Sequence, residues 1–113
     1  MTVWHYTDFQ GIQGILQSGY IRASTDNTVD AVYGEGVYAT AMAPDAYSWK
    51  EIAKNNYDGT RWPSLKSKTD YALGIIAPDG YFKKIKNKEG RDIYLHQGDV
   101  HLKDVQYVIF VRD

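Results

Sequence analysis

Apolar and polar residues alternate from Thr2 to Tyr6, and the β-branched and aromatic content of this stretch predicts an opening strand. Thr7-Asp8 supplies an N-cap pair, after which Phe9, Ile12, Ile15 and Leu16 recur at helical spacing. The strand should therefore feed directly into a short helix, closed at Ser18-Gly19 because glycine accepts the left-handed conformation that ends a helix. A brief strand, Tyr20 to Ala23, follows. Ser24 to Asp30 is polar and turn-prone, a surface loop, and Gly34-Glu35-Gly36 then opens the alternation Val37-Tyr38-Ala39-Thr40, a strand entered through a flexible corner. Pro44-Asp45 is expected to start a second helix, with Ala46, Trp49, Ile52 and Ala53 as its buried stripe and Asn55-Asn56 as its end. A loop is expected through Trp62-Pro63. The remainder reads as strand: Tyr71 to Ala77, a hairpin from Tyr81 through Gly90 to Leu95, and a terminal run from Val105 to Val111. Helices early and strands late, without regular alternation, predict an α+β fold.

Composition narrows this picture. A length of 113 residues with 43% hydrophobic and 14% aromatic content suits one domain over residues 1–113 and leaves no room for a second. The absence of cysteine excludes disulfides and thiolate metal sites and suits a reducing compartment. No apolar run approaches a membrane span and no export signal opens the chain, so a soluble monomer acting in a cytoplasm, its own cell's or a target cell's, is expected. The formal net charge of −1 argues against bulk capture of nucleic acid. The lysines of Lys83-Lys84-Ile85-Lys86-Asn87-Lys88 read first as a solvated hairpin that protects a sheet edge, and second as an acceptor-docking surface.

Three segments could carry chemistry. In the first, His5 and Thr7 share one face of the opening strand, although a lone strand histidine is more often a packed residue. In the second, Gly34 and Gly36 bracket Glu35 just before Tyr38; such a corner lets backbone approach a ligand while the tyrosine offers a flat face to a ring, the plainer alternative being a tight turn beside a core tyrosine. The third runs from Arg91 to Asp99, where alternation sets Asp92, Tyr94 and His96 on a polar face opposite Ile93 and Leu95.

Trp4-His5-Tyr6-Thr7 followed by a helix, Gly19-Tyr20-Ile21-Arg22, Tyr33 to Ala39, and Asp92-Ile93-Tyr94-Leu95, in this order, resemble the ADP-ribosyltransferases of the diphtheria-toxin and poly(ADP-ribose)-polymerase type. Those enzymes carry a His-Tyr-Glu signature; with aspartate in third place the chain is most similar to the small His-Tyr-Asp branch among bacterial polymorphic toxins. The resemblance implies two roughly perpendicular antiparallel sheets with NAD⁺ as co-substrate in the cleft between them, two short helices and no metal. It implies a mono-ADP-ribosyltransferase that breaks the nicotinamide–ribose bond and modifies an acceptor, protein rather than nucleic acid, with water as an incidental acceptor in an NAD glycohydrolase side reaction. In this assignment His5 holds the adenosine-side ribose, and backbone beside it, at Tyr6 and Thr7, holds the nicotinamide carboxamide. Tyr38 stacks on nicotinamide beside Gly36, with Tyr47 or Trp49 as a second wall, Asp92 grips the nicotinamide ribose, and Arg22 reaches a phosphate or adenine. Asp99 is the alternative third residue. Glutamate is usual where Asp92 stands, a longer reach by one methylene, and Tyr6 replaces the small residue that poly(ADP-ribose) polymerases commonly carry beside the histidine.

Three other functions compete. His96, Asp99 and His101 are potential ligands of a metal-dependent hydrolase. An NAD-dependent RNA 2′-phosphotransferase would share the fold but needs a basic cleft. A module that binds NAD⁺ or ADP-ribose without turnover would keep the cleft and lose the chemistry.

Overall fold

In the computed structural model, which describes residues 1–24, 34–57 and 62–112, the opening strand β1 spans Thr2–Thr7 and passes straight into helix α1, Phe9–Ser18. The Asp8 carboxylate accepts a hydrogen bond from Gly11 N at 2.8 Å, satisfying one of the amides a helix start leaves bare. At the other end Gly19 takes φ 82° and donates its N–H to Ile15 O, as expected of a closing glycine. β2 (Tyr20–Ile21), β3 (Val37–Ala39), helix α2 (Trp49–Asn56), β4 (Tyr71–Ile76), β5 (Lys83–Lys84), β6 (Tyr94–His96), β7 (Val100–His101) and β8 (Gln106–Val111) complete the order, with 3₁₀ turns over Trp62–Thr69 and Leu102–Asp104.

Every sheet among the described residues is antiparallel. β4 lies between β1 and β8, pairing from Thr2↔Ile76 to Thr7↔Tyr71 on one side and from Tyr71↔Val111 to Ile76↔Gln106 on the other. β6 lies between β3 and β5, and β2 pairs with β7. The expected second sheet is thus two ladders, stitched where Ser24 and Gly36 exchange backbone hydrogen bonds of 2.7 and 3.1 Å.

The β1–β4 pair is packed on both faces because its alternation is apolar on both. Val3, Leu73 and Ile75 meet Ile12 and Ile15 of α1 together with Val37, Ala39, Phe82, Ile21 and Val100, forming the larger cluster. On the reverse face Tyr6 and Ala72 meet Ile52 of α2, flanked by Trp4, Met42 and Phe110. Burying each of Val3, Ile52, Leu73 and Ile75 is worth about 1.5–3 kcal/mol, so these four residues hold both helices to one sheet. At the free edge of that sheet, β8 leaves Tyr107, Val108, Ile109 and Val111 exposed. No helix among the described residues is long and apolar enough to cross a membrane.

The structure departs from the sequence pattern at four places. α2 begins at Trp49 rather than Pro44, because Ser48 and Glu51 close a reciprocal capping box while residues 43–47 turn back on Ala43 O. The expected loop at Trp62-Pro63 is the start of the longer 3₁₀ segment, kinked at Leu65 and packed through Trp62 on Trp49 with ring centroids 6.1 Å apart. β2 stops at Ile21, since its partner β7, not foreseen, is only two residues long. The Tyr81–Leu95 hairpin pairs only at its base; beyond it the Asn87 side chain bonds Ile85 O, Arg91 O and Arg91 N, replacing ladder bonds with side-chain ones.

Candidate active site

Two sheets meet at the backbone of Trp4 and Thr40, which exchange N–H···O bonds of 2.7 and 3.0 Å. His5 follows in β1 and its Nδ1 lies 2.8 Å from Tyr38 O in β3. A carbonyl only accepts, so Nδ1 carries the proton. Burial pushes the imidazole below its ordinary 6.5, and the bond to Tyr38 O only partly opposes this. The ring is therefore neutral at pH 7, with Nε2 as an acceptor.

Tyr38 extends from the same seam, and its hydroxyl donates to Gly34 O at 2.6 Å. The corner ahead of it requires glycine for a reason internal to the fold. Gly36 has φ 154°, and a Cβ there would collide with the His96 carbonyl and with Leu95 across the ladder. The close approach that the fold itself imposes is to β6. Tyr33, the first residue of the motif, lies outside the described residues.

Asp92 lies two residues before the start of β6, with its side chain 24% exposed. Its Oδ2 accepts from Thr40 Oγ1 at 2.7 Å and from Ala41 N at 2.6 Å. Its own backbone N–H donates to Asn55 Oδ1 at 2.6 Å, and its carbonyl accepts from Asn55 Nδ2 at 2.9 Å. Among the described residues Oδ1 faces Lys84 Nζ, at 3.8 Å, a long pair with a largely exposed lysine and worth little. Next to it, Arg91 Nε and Nη2 donate to the carbonyls of Asn55 and Asn56 at 2.7 and 2.8 Å.

His5, Tyr38 and Asp92, distant in sequence, all border one cleft of about 150 Å³, together with Trp4, Ser24 and Tyr57. The other expected contacts are scattered. Tyr6 borders the cleft, yet its ring is buried in the cluster on the reverse face and its hydroxyl donates to Met42 O at 2.6 Å; burial raises its pKa well above that of a free phenol. Thr7, Gly36 and Arg22 are not among the lining residues, and Arg22 is exposed just after β2. Trp49 faces Trp62 and carries Lys66 Nζ 5.3 Å from its ring. Tyr47, outside α2, borders a separate open groove with Met42, Glu51 and Lys54 that also touches Asp92.

Asp99 lies elsewhere, exposed, with its Oδ1 accepting from Ala23 N at 2.7 Å. His96 stacks on Tyr81 at 3.9 Å and bonds Tyr81 O, whereas His101 packs on Tyr20. These three residues do not converge, and no group of three or more metal-ligating side chains occurs among the described residues. The residues not foreseen are Thr40 and Asn55. Asn55 reads in sequence only as a helix stop, and nothing local relates it to Asp92.

No curated protein and no solved structure matches the chain significantly. A family model described as a HYD1 signature containing ADP-ribosyltransferase matches residues 3–104, a span that includes His5, Tyr38 and Asp92 and most of the strands around them. The α+β fold with several antiparallel sheets agrees with that match, and the chain belongs to this family of ADP-ribosyltransferases of the polymorphic-toxin type.

Proposed function

We propose that the cleft receives the nicotinamide end of NAD⁺, the substrate of ADP-ribosyltransferases, and that the chain transfers ADP-ribose to a protein acceptor as a toxin effector. The observation that carries this reading is the convergence of a neutral histidine, a tyrosine and a hydrogen-bonded carboxylate on one small cleft. A volume of about 150 Å³ is below the range of about 300–1,000 Å³ for cavities that take a whole drug-sized ligand, so the cleft receives one end of NAD⁺ and the adenosine end extends past the rim. Tyr38 offers its face to the cationic nicotinamide, a contact worth about 0.5–2 kcal/mol. His5 accepts a ribose hydroxyl at Nε2. Asp92 accepts a hydroxyl of the nicotinamide ribose at Oδ1, the oxygen not taken by Thr40 and Ala41.

The bond between the anomeric carbon and nicotinamide breaks with its electron pair passing to the ring nitrogen, which leaves as neutral nicotinamide. The sugar carries the positive charge as an oxocarbenium, and the Asp92 carboxylate stabilises it. A nucleophilic nitrogen, oxygen or sulfur of the acceptor then donates a pair to that carbon and loses its proton to solvent. Water in the acceptor's place gives NAD glycohydrolase activity. The RNA 2′-phosphotransferase reading gains no support: Arg91 is the one cationic side chain among the described residues lining the cleft, and two of its nitrogens are bonded to α2.

The test is nicotinamide release from NAD⁺ by the purified protein, with and without EDTA, alongside calorimetric titration with NAD⁺ and ADP-ribose. Release unaffected by EDTA is expected. Binding without release, even with candidate acceptor proteins supplied, would identify a binding module, and neither binding nor release would refute the proposal.

A further inference from the structure

We infer that Asn55 and Thr40 are positioning residues for Asp92, a role that rests on the reading of Asp92 as the reacting carboxylate. Asp92 stands just outside β6, where no ladder partner defines its backbone. Asn55 supplies one: its Oδ1 accepts from Asp92 N and its Nδ2 donates to Asp92 O, the same pair of bonds that a neighbouring strand would make. The same amide also reaches Thr40 Oγ1 at 3.3 Å. Arg91 reinforces the join by bonding the carbonyls of Asn55 and Asn56, so two consecutive residues are fastened along the end of α2.

Thr40 fixes the carboxylate itself. The residue is 2% exposed, and its hydroxyl accepts from Met42 N at 3.2 Å and from Asn55 and spends its single hydrogen on Asp92 Oδ2. Ala41 N takes the second position on that oxygen. One carboxylate oxygen is thereby immobilised and the other, Oδ1, is left for a ligand. An aspartate has one methylene less than a glutamate to reach a sugar, so its backbone must be held at the seam between the sheets. Asn55 provides that hold. Its position on α2, whose Ile52 is fully buried against the β1–β4 sheet, ties the aim of the carboxylate to the packed core.

The test compares Asn55→Ala, Asn55→Asp, Thr40→Val and Thr40→Ser with wild type and with Asp92→Asn, measuring kcat and KM for nicotinamide release, NAD⁺ affinity and binding stoichiometry by calorimetry, and the thermal midpoint. Misplacing a reacting group by about 1 Å costs up to about 100-fold, so Asn55→Ala and Thr40→Val should lower kcat about 10- to 100-fold while KM and affinity stay within about threefold. Thr40→Ser, which keeps the hydroxyl, should recover most of the kcat lost in Thr40→Val. Asn55→Asp keeps the acceptor but sets a second carboxylate against the Asp92 carbonyl, and should lower kcat at least as much as Asn55→Ala. A merely structural role would lower the thermal midpoint and the binding stoichiometry while leaving kcat per binding-competent molecule unchanged, and would overturn the inference. Should Asn55→Ala not fold, equal kcat in Thr40→Val and Thr40→Ser would overturn it. Wild-type kcat in all four variants beside an inactive Asp92→Asn would sink the positioning role and leave the site reading intact; an active Asp92→Asn would sink both.

Discussion

The molecule contains two sets of histidine, tyrosine and aspartate, and their outward similarity is close. His5 and His96 each donate Nδ1–H to a tyrosine's backbone carbonyl at 2.8 Å, Tyr38 for one and Tyr81 for the other. Asp92 and Asp99 each accept a backbone amide, from Ala41 at 2.6 Å and from Ala23 at 2.7 Å. The difference lies in what remains free. His96 is stacked flat on the Tyr81 ring at 3.9 Å, and Asp99 braces the turn after β2 at the protein's surface. His5, Tyr38 and Asp92 meet instead where two sheets join, with one carboxylate oxygen immobilised, the other facing only the distant, largely exposed Lys84 among the described residues, and a cleft in front of them. A hydrogen-bonded histidine and carboxylate are common structural devices. They become a candidate catalytic set only where packing leaves a ligand-sized space between them.

The strongest way to break this comparison is to neutralise each carboxylate in turn. Asp92→Asn should lower nicotinamide release by about 100- to 1,000-fold, the usual cost of removing a preorganised electrostatic contact from a transition state, while Asp99→Asn retains turnover. The opposite pattern would transfer the chemistry to Asp99. Next in size, Tyr38→Ala should weaken NAD⁺ binding by about 10-fold through loss of ring stacking, measured by calorimetry, whereas Tyr81→Ala should leave NAD⁺ affinity unchanged. Equal affinities for Tyr38→Ala and wild type would remove Tyr38 from the donor site. Truncating Asp99 to Ala should cost about 0.5–1.5 kcal/mol of stability in a denaturant titration, since it leaves Ala23 N to water.

The smallest effect is a matter of pH. His5 is harder to protonate folded than unfolded, so the unfolded chain binds more protons in the interval between the two pKa values. The stability owed to neutral His5 is therefore complete above the unfolded value of 6.5 and is lost as pH falls through the lower folded value. Thermal midpoints followed downward from about pH 7.5 should decline more steeply for wild type than for His5→Gln, which cannot be protonated. Parallel curves would mean that burial of His5 has no such consequence.

The local pattern of the chain determined a good deal on its own. Strand β1, the Asp8 cap, the Gly19 stop, and strands β4 and β8 all follow from alternation, helical spacing and end signals confined to a few neighbouring residues. A capping box at Ser48 and Glu51 was equally local, and it, not Pro44, sets the start of α2. His5, Tyr38 and Asp92 were nameable because the order of their motifs resembles a family signature, and the match over residues 3–104 establishes that family. Their surroundings were not legible. Trp49 turns to Trp62, Tyr6 to the reverse face, and Asn55 to Asp92 because each orientation is decided by how a helix docks across a sheet, through contacts between residues far apart in the chain. Periodicity says which face of an element is buried. Which distant backbone that face meets, and so which carboxylate borders the cleft, is decided only when the sheets and helices close on one another and their buried polar groups must find partners.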